Sequence, residues 1–186
     1  MLRDVQGLNG HAPRFLGYVR GARVLAMEFV PGGDCAEYVL RERARRALRA
    51  DAGLPPAVAA DLARAMLSPL EALHALGYVH RDVKPSNFMR ADRDARAPCG
   101  ARGLRLIDFG LARRVVDAAS GEHVAPRATA PFRGTKLYAS LAAHDERDQG
   151  RVDDLWSWLY IFVEARARRA REAARARARH AANRSR

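Results

Sequence analysis

The sequence predicts an α+β fold, and three observations carry that prediction. Two short apolar runs flank a glycine-containing turn within residues 15–30, which indicates a β-hairpin. Apolar residues recur every three or four positions over residues 56–76, as in a helix that buries one face. A polar stretch at residues 91–103 separates two further short apolar segments, which predicts an insertion between two strands. The 186 residues suffice for one domain with a core.

The first third of the chain is predicted to form the hairpin and one helix. Its strands should cover residues 15–19 and 24–30. The run Pro31-Gly32-Gly33 should end the second strand, because proline and glycine interrupt regular structure. Asp34 then has the position and side chain of an N-cap, which predicts a helix over about 35–50.

The long helix has clear signals at both ends. A break at Gly53 to Pro56 precedes it, and Gly77 reads as its C-terminal cap. Pro69 should kink it, since proline removes one backbone donor. The predicted core-facing stripe consists of Val58, Leu62, Met66, Leu70 and Leu73.

The second half of the chain is predicted to be mostly irregular before a final helix. Residues 78–90 read as a loop with embedded apolar residues, and Leu104–Ile107 as a short strand. Residues 108–138 lack periodicity, and segments of that length are usually functional or disordered. A buried helix is expected over 154–164, followed by an Ala/Arg-rich tail at 165–186 that has no apolar face to bury.

The bulk composition excludes several classes of protein. The mixed, non-repetitive sequence is not that of a collagen, a coiled coil or a disordered chain. The net charge is +12, but much of it lies in the tail, and the Ala/Arg enrichment is explained by codon bias. Cys35 and Cys99 lack metal-site spacing, which indicates free thiols rather than a zinc site or a disulfide framework. We find no signal peptide and no apolar run long enough to span a bilayer, and expect an intracellular protein, cytoplasmic or nuclear.

Two motifs carry the chemistry. The first, at residues 80–87, reads His-Arg-Asp-Val-Lys-Pro-Ser-Asn, and the second, Asp108-Phe109-Gly110, begins twenty-one residues after Asn87. Together they resemble the catalytic loop and the metal-binding motif of protein kinases. The resemblance implies a truncated kinase-like fold: a small-lobe hairpin and hinge, followed by the core of a helical lobe.

The resemblance assigns a role to each motif residue. Asp82 would accept the proton of the substrate hydroxyl and orient its oxygen. Lys84 would neutralise charge that develops on the transferring phosphoryl group. Asn87 and Asp108 would supply oxygen ligands to Mg²⁺, which prefers such hard donors. ATP and Mg²⁺ are therefore the implied cofactors, and a protein Ser/Thr hydroxyl is the implied acceptor.

Further motifs narrow the resemblance to casein kinase I-like serine/threonine kinases, closest to the tau-tubulin kinase type. Lys84-Pro85 is typical of serine/threonine rather than tyrosine kinases. The runs that carry the finer likeness are Asn87-Phe88-Met89, Leu111-Ala112-Arg113, Phe132-Arg133-Gly134-Thr135, Tyr138-Ala139-Ser140 and Asp153-Asp154-Leu155-Trp156-Ser157.

Other residues receive roles from the same resemblance, by position. Thr135 would hydrogen-bond Asp82 and Lys84, and Asp154 would accept backbone N–H bonds from the catalytic loop. Phe109 would pack under an upper helix. The adenine and ribose of ATP would be bound by a set near the hinge: Met27 at the back of the pocket, Glu28, Phe29 and Val30 in the hinge, and Glu37 at the ribose.

The implied organisation has three parts. Residues 1–14 would be a remnant N-terminal segment, and residues 15–164 a partial kinase domain. Within it we expect the hinge at about 28–33, the catalytic loop at 80–87 and the activation segment at 108–141. Residues 165–186 would form the tail.

Several family features are missing, so more than one function stays open. The chain has no GxGxxG run and no lysine before Lys84, whereas such kinases use both on the ATP phosphates. If Leu137 occupies the position of the family's anion-binding arginine, the chain lacks that contact to acidic or primed substrates. The first hypothesis is a protein kinase represented by a fragment, and the second a pseudokinase or docking module without catalysis. The third, nucleic-acid binding through the Arg-rich tail, is the least favoured, and we expect no membrane partner.

Overall fold

Among the residues it describes, a computed structural model of the chain contains four helices and three two-stranded sheets. It describes residues 8–49, 52–94, 97, 99 and 103–167. The helices are α1 (Cys35–Arg45), α2 (Pro56–Ala75), α3 (Leu141–His144) and α4 (Arg151–Ala167). Of the helices in these ranges, none is both long and apolar enough to cross a membrane.

All three sheets are antiparallel pairs of short strands. The strands are β1 (Phe15–Val19), β2 (Val24–Met27), β3 (Tyr78–Val79), β4 (Phe88–Arg90), β5 (Leu104–Leu106) and β6 (Arg113–Arg114). The hairpin pairs β1 with β2, the strands around the insertion pair β4 with β5, and β3 pairs with β6. The mixed helix and sheet content confirms the α+β prediction.

The centre of the core is the apolar face of α2, as its periodicity predicts. Leu62, Met66, Leu70 and Leu73 are at most 2% exposed, and Val58 packs against them from the edge. Helix α4 packs against this helix, and the indole Nε1 of Trp158, near the middle of α4, donates to the Ala63 carbonyl at 2.8 Å. Helix α2 thus provides the surface on which the rest of the molecule is assembled.

Gly77 ends α2 as predicted. Its φ of +78° is a conformation that side-chain-bearing residues rarely adopt. A Cβ at this position would also lie 2.9 Å from the Cβ of Val116. The tight turn leads directly into β3 and from there into residues 80–87.

Several predicted boundaries were wrong. Helix α1 ends at Arg45 rather than near residue 50, and β2 ends at Met27 rather than at residue 30. The predicted loop at 78–90 holds β3, a 3-10 turn at Pro85–Asn87 and β4, which are too short to show periodicity.

The last helix is longer than predicted at both ends. Helix α4 spans Arg151–Ala167 rather than 154–164. Ala165 is buried in the core, and its carbonyl accepts a hydrogen bond from the Leu54 N–H at 2.8 Å. The predicted start of the tail at Ala165 therefore lies inside a packed helix, because Ala165 still contacts the core. Residues 168–186 of the predicted tail lie outside the described residues.

The segment after β2 is fastened to the strand that follows the catalytic loop. The Gly32 N–H donates to the Arg90 carbonyl at 3.0 Å, and the Arg90 N–H donates to the Gly33 carbonyl at 2.8 Å. A Cβ on Gly32 would lie 2.4 Å from the Arg90 carbonyl oxygen, so only glycine permits this approach. As predicted, Asp34 then caps α1 by accepting from the Glu37 N–H.

Part of the predicted N-terminal remnant is packed. Leu8 is fully buried in the core, and the His11 carbonyl accepts a hydrogen bond from the Leu106 N–H at 2.7 Å. The first seven residues of the remnant lie outside the described residues.

Two apolar faces are exposed to solvent. Both strands of the hairpin carry half-exposed apolar side chains, and Phe29 beyond β2 is 79% exposed. On α4, Leu155, Trp156 and Val163 are each more than 40% exposed. Exposed apolar surface of this kind is typical of a docking face.

The burial pattern of α2 predicts a large effect for one leucine. We expect Leu70→Ala to lower the free energy of unfolding by about 2–5 kcal/mol, because it leaves a cavity at the centre of the core. Leu141→Ala is the matched control, since Leu141 is 72% exposed, and should change it by less than about 0.5 kcal/mol. Urea unfolding followed by circular dichroism measures both. Equal losses would contradict the placement of Leu70.

Candidate active site

A buried carboxylate at the start of α4 holds the predicted catalytic loop. Asp154 is 1% exposed. Its Oδ2 accepts the His80 N–H at 2.7 Å, and its Oδ1 accepts the Arg81 N–H at 2.8 Å. The His74 ring Nε2 on α2 lies 2.8 Å from the same Oδ2. Asp154 therefore joins α2, the loop and α4, in the role that the resemblance implies.

This support holds the backbone of the loop in a strained conformation. Arg81 has a φ of +67°, a region that non-glycine residues rarely adopt. Such a conformation costs on the order of 1–3 kcal/mol and persists only where the surroundings impose it. Here the two hydrogen bonds to Asp154 supply the constraint, and the next side chain, Asp82, is directed into the site.

Asp82 is held by two neighbours, one on each carboxylate oxygen. The Thr135 hydroxyl donates to Oδ1 at 2.7 Å, and the Lys84 ammonium donates to Oδ2 at 2.7 Å. Burial raises the pKa of Asp82, but the hydrogen bonds from Lys84 and Thr135 outweigh it and leave the pKa below its usual value. Asp82 is therefore anionic at neutral pH and has a fixed orientation.

Thr135 can reach Asp82 because Gly134 lies against the catalytic loop. Gly134 has a φ of +102°, and a Cβ there would lie 2.5 Å from the Arg81 carbonyl oxygen. The chain therefore approaches the loop more closely at Gly134 than it could with any residue other than glycine at this position.

The pairing of β4 with β5 places Asn87 opposite Ile107, the residue before Asp108. Phe88 pairs with Leu106, and the Ile107 N–H donates to the Asn87 carbonyl at 3.0 Å. Ile107 is therefore the residue opposite Asn87, and Asp108 is the next residue along the chain. The Asn87 Nδ2 donates to the Asp82 carbonyl at 2.9 Å, which fixes the orientation of its amide.

These two residues fit a magnesium ion by their chemistry. An amide oxygen and a carboxylate are hard oxygen donors, and Asp108 is exposed, so it is accessible to a ligand. Across the described part of the chain, no group of three or more His, Cys, Asp or Glu side chains could hold a metal. A metal at this place would therefore complete its coordination with water and phosphate oxygens, as Mg²⁺ commonly does.

The residue after Asp108 anchors the turn at Asp108 in the core. Phe109 is buried, and its ring lies 5.6 Å from that of His80. The Asp82 N–H donates to His80 Nδ1 at 3.3 Å, and His80 Nε2 lies 3.0 Å from the Ile107 carbonyl. The two bonds fit a ring that carries its proton on Nε2. His80 thus connects Asp82 to the turn at Asp108.

The predicted nucleotide-binding residues lie at the end of the hairpin and at the start of α1. Met27 is 44% exposed, whereas Val30 is buried. The Glu28 N–H donates to the Arg14 carbonyl at 2.8 Å, and the Glu28 carboxylate accepts from the Arg14 N–H at 3.0 Å. The Glu37 carboxylate is 2.5 Å from Arg41, so a ribose contact would require this exposed pair to open.

Sequence reasoning missed three residues that support the site. Asp153 accepts the Ser140 hydroxyl at 2.5 Å and so fastens the end of the activation segment to α4. His74 contacts Asp154, as described above, and Asp148 forms ion pairs with Arg113 and Arg127. Of these three residues, only Asp153 could have been recognised from the sequence, because it is adjacent to Asp154. A lone histidine or aspartate in a polar stretch carries no such signal.

The close approach at Gly134 predicts a local and costly effect of a single methyl group. We expect Gly134→Ala to lower the free energy of unfolding by about 1–3 kcal/mol, since alanine is strained at this φ and its Cβ overlaps Arg81. Gly21→Ala is the control, because a Cβ there meets nothing within 4 Å. Urea unfolding of both variants measures the difference, and equal stability would contradict the packing of Gly134 on the loop.

Comparison with known proteins matches most of the chain to one family. Residues 18–182 match the protein kinase domain family. Over 95 residues, 51% of the chain, it is 52% identical to a probable serine/threonine-protein kinase of Dictyostelium discoideum. Over 97 residues it is 41% identical to a protein of Caenorhabditis elegans described as a serine/threonine-protein kinase. The matched parts cover 18% and 27% of those two relatives.

The family match extends over most of the chain and includes both motifs and the residues that support them. The geometry and the match agree, and we conclude that this chain belongs to the protein kinase domain family.

Proposed function

We propose that the chain carries the catalytic centre of a serine/threonine kinase, which transfers the γ-phosphoryl group of ATP to Ser or Thr hydroxyls of a protein. One observation carries the proposal. The Asp82 carboxylate accepts hydrogen bonds from Thr135 and Lys84, and the Asp82 backbone carbonyl accepts one from the Asn87 side chain. The curated relatives with serine/threonine-protein kinase names support the acceptor class.

Asp82 is proposed as the group that receives the substrate hydroxyl. Its pKa lies below the usual range, so the carboxylate is ready to accept a hydrogen bond from the incoming O–H. The hold of Thr135 and Lys84 limits rotation of the carboxylate and so directs one oxygen at the acceptor. Positioning of this kind contributes much of the rate in phosphoryl transfer.

Lys84 is proposed to stabilise charge on the transferring group. Its ammonium is partly exposed and is bonded to Asp82, so it can also contact a phosphate oxygen with its remaining N–H donors. Asn87 and Asp108 would hold Mg²⁺, which when bound neutralises phosphate charge. The exposed carboxylate of Asp108 and the fixed amide of Asn87 define where the β- and γ-phosphates would lie.

ATP is proposed to enter along the hinge, residues 28–33. Met27 and Val30 would provide apolar contact to the base, and the Glu28 carbonyl would accept from its amino group. Glu37, released from Arg41, would reach the ribose. The fastening of Gly32 and Gly33 to Arg90 supports this, because it fixes the hinge relative to the catalytic loop.

We further propose that the kinase is casein kinase I-like, nearest to the tau-tubulin kinase type. The run from Phe132 to Thr135 and the pair Asp153-Asp154 support it. The kinase domain would occupy residues 15–164 with its activation segment at 108–141, and the protein would act inside the cell, in cytoplasm or nucleus.

A docking module without catalysis is the second candidate. The observation in its favour is that no lysine precedes Lys84, so this chain supplies no strand lysine to the α/β-phosphates. Each missing electrostatic contact of this kind typically costs about 10²–10³ in rate. The exposed apolar face of the hairpin would then bind a partner protein rather than pack against further elements of a kinase domain.

The decisive experiment is phosphoryl transfer by the purified chain. We expect Asp82→Asn to lower transfer from Mg·ATP to Ser/Thr peptides by about 10²–10⁴-fold, because the neutral amide cannot take the proton. Mg·ATP affinity should stay nearly unchanged, since Asp82 contacts the acceptor. Radiolabelled ATP and a library of Ser, Thr and Tyr peptides provide the assay.

The control is Asp61→Asn, an exposed carboxylate on α2 that pairs only with nearby Arg64 in the described structure. It should retain the activity of the unchanged chain. Undiminished transfer by Asp82→Asn would refute the role of Asp82. Tight Mg·ATP or protein binding without any transfer by the unchanged chain would favour the docking module.

A further inference from the structure

Another carboxylate with a shielded side chain, Asp148, lies outside the catalytic loop. Asp148, in the turn before α4, is 4% exposed and forms ion pairs with Arg113 and Arg127. The Arg127 backbone N–H donates to its Oδ2 at 2.8 Å, and the Arg127 Nη2 contacts its Oδ1 at 2.9 Å. Both oxygens of Asp148 are therefore engaged, and each of the two arginines is held by it.

The charge on Asp148 is strongly favoured. Burial raises the pKa of a carboxyl group, but the hydrogen bonds from Arg127 and Arg113 hold the pKa of Asp148 well below its usual range. The group is therefore ionised at neutral pH. Removal of the carboxylate would leave Arg113 and Arg127 without this counter-ion, and Arg113 is the less exposed of the two arginines.

The two arginines come from distant parts of the activation segment. Arg113 is in β6, directly after the metal-binding turn, and β6 pairs with β3. Arg127 lies fourteen positions later in an exposed, irregular stretch. The Ala130 N–H donates to the Glu146 carbonyl at 2.7 Å, which is a further bond between this stretch and the residues before α4. Asp148 thus links the beginning and the middle of the segment to the base of α4.

The surroundings are rich in like charge. Burial lowers the pKa of Arg81, and the neighbouring charges of Arg127, Arg113 and Arg133 lower it further, whereas Asp148 acts in the opposite direction. Four positive groups therefore lie near one another. Without a counter-ion they would repel, and the segment that carries them would separate from the loop.

We propose that Asp148 is a positioning residue for phosphoryl transfer: a built-in carboxylate that gathers the arginines of the activation segment and so holds Gly134 and Thr135 against the catalytic loop. This inference rests on the proposed function. Asp148 does not touch the reacting atoms. It acts through the segment, because Thr135 reaches Asp82 only while residues 127–134 follow their present course.

The test removes the carboxylate and then returns it as a free ion. In Asp148→Ala, we expect backbone amides of residues 127–135 to exchange with D₂O about tenfold faster or more, as loss of a charge-assisted hydrogen bond implies. Amides in the middle of α2 should keep their protection. Added formate, which is the missing carboxylate, should restore protection, whereas chloride at equal ionic strength should not.

Two further variants complete the test. Asp148→Glu keeps the charge and should retain most of the protection. Asp145→Ala is the matched control, because Asp145 lies in the same turn but is 61% exposed and pairs with Arg147. It should leave exchange unchanged. Hydrogen exchange read by mass spectrometry gives all four results on the 186-residue chain.

The outcomes separate a positioning role from a general structural one. Loss confined to residues 127–135 and reversed by formate supports the proposal. Equal loss in α2 and the segment, no loss at all, or loss that formate and Glu both fail to repair would overturn it. Exchange needs no activity, so a chain without phosphoryl transfer would refute the proposed function while this test still decided the role of Asp148 in ordering the segment.

Discussion

The arrangement of the site depends on one buried carboxylate, Asp154. It accepts N–H bonds from His80 and Arg81 and contacts His74, so a single side chain joins the loop to α2 and α4. The loop it holds has a strained backbone at Arg81, the residue immediately before Asp82. Burying the charge is costly unless hydrogen bonds replace its water. In this site the N–H groups of His80 and Arg81 replace that water, and the same hydrogen bonds fix the position of the loop.

The activation segment is held to this centre by the same kind of interaction. Asp153 fastens its end through Ser140, and Thr135 contacts Asp82 where Gly134 lets the chain approach. The segment has little regular structure and few buried apolar side chains, so polar contacts rather than packing determine its course. Its position should therefore respond to charge more than the position of α2, which hydrophobic burial holds in place.

Much of the fold and of the site could be predicted from local patterns. The stripe on α2, the Asp34 cap and the Gly77 turn follow from helix periodicity and backbone freedom, and all three were confirmed. Strands of two or three residues, as in β3 and β4, are too short for any period to appear. Contacts between distant residues, such as Asp148 with Arg127, leave no pattern in a single sequence. The extension of α4 through Ala165 was missed because Leu54, its partner, lies more than a hundred positions away.

The most direct test of the account is whether Asp108 and Asn87 bind a metal–nucleotide complex. Mn²⁺ can replace Mg²⁺ as a paramagnetic probe, and its electron paramagnetic resonance reports the bound fraction in the presence of a non-hydrolysable ATP analogue. The account predicts saturable Mn²⁺ binding that requires the nucleotide and is lost in Asp108→Asn, with Asp117→Asn, an exposed aspartate in the same segment, as the unaffected control. Equal binding by the unchanged chain and Asp108→Asn would contradict it.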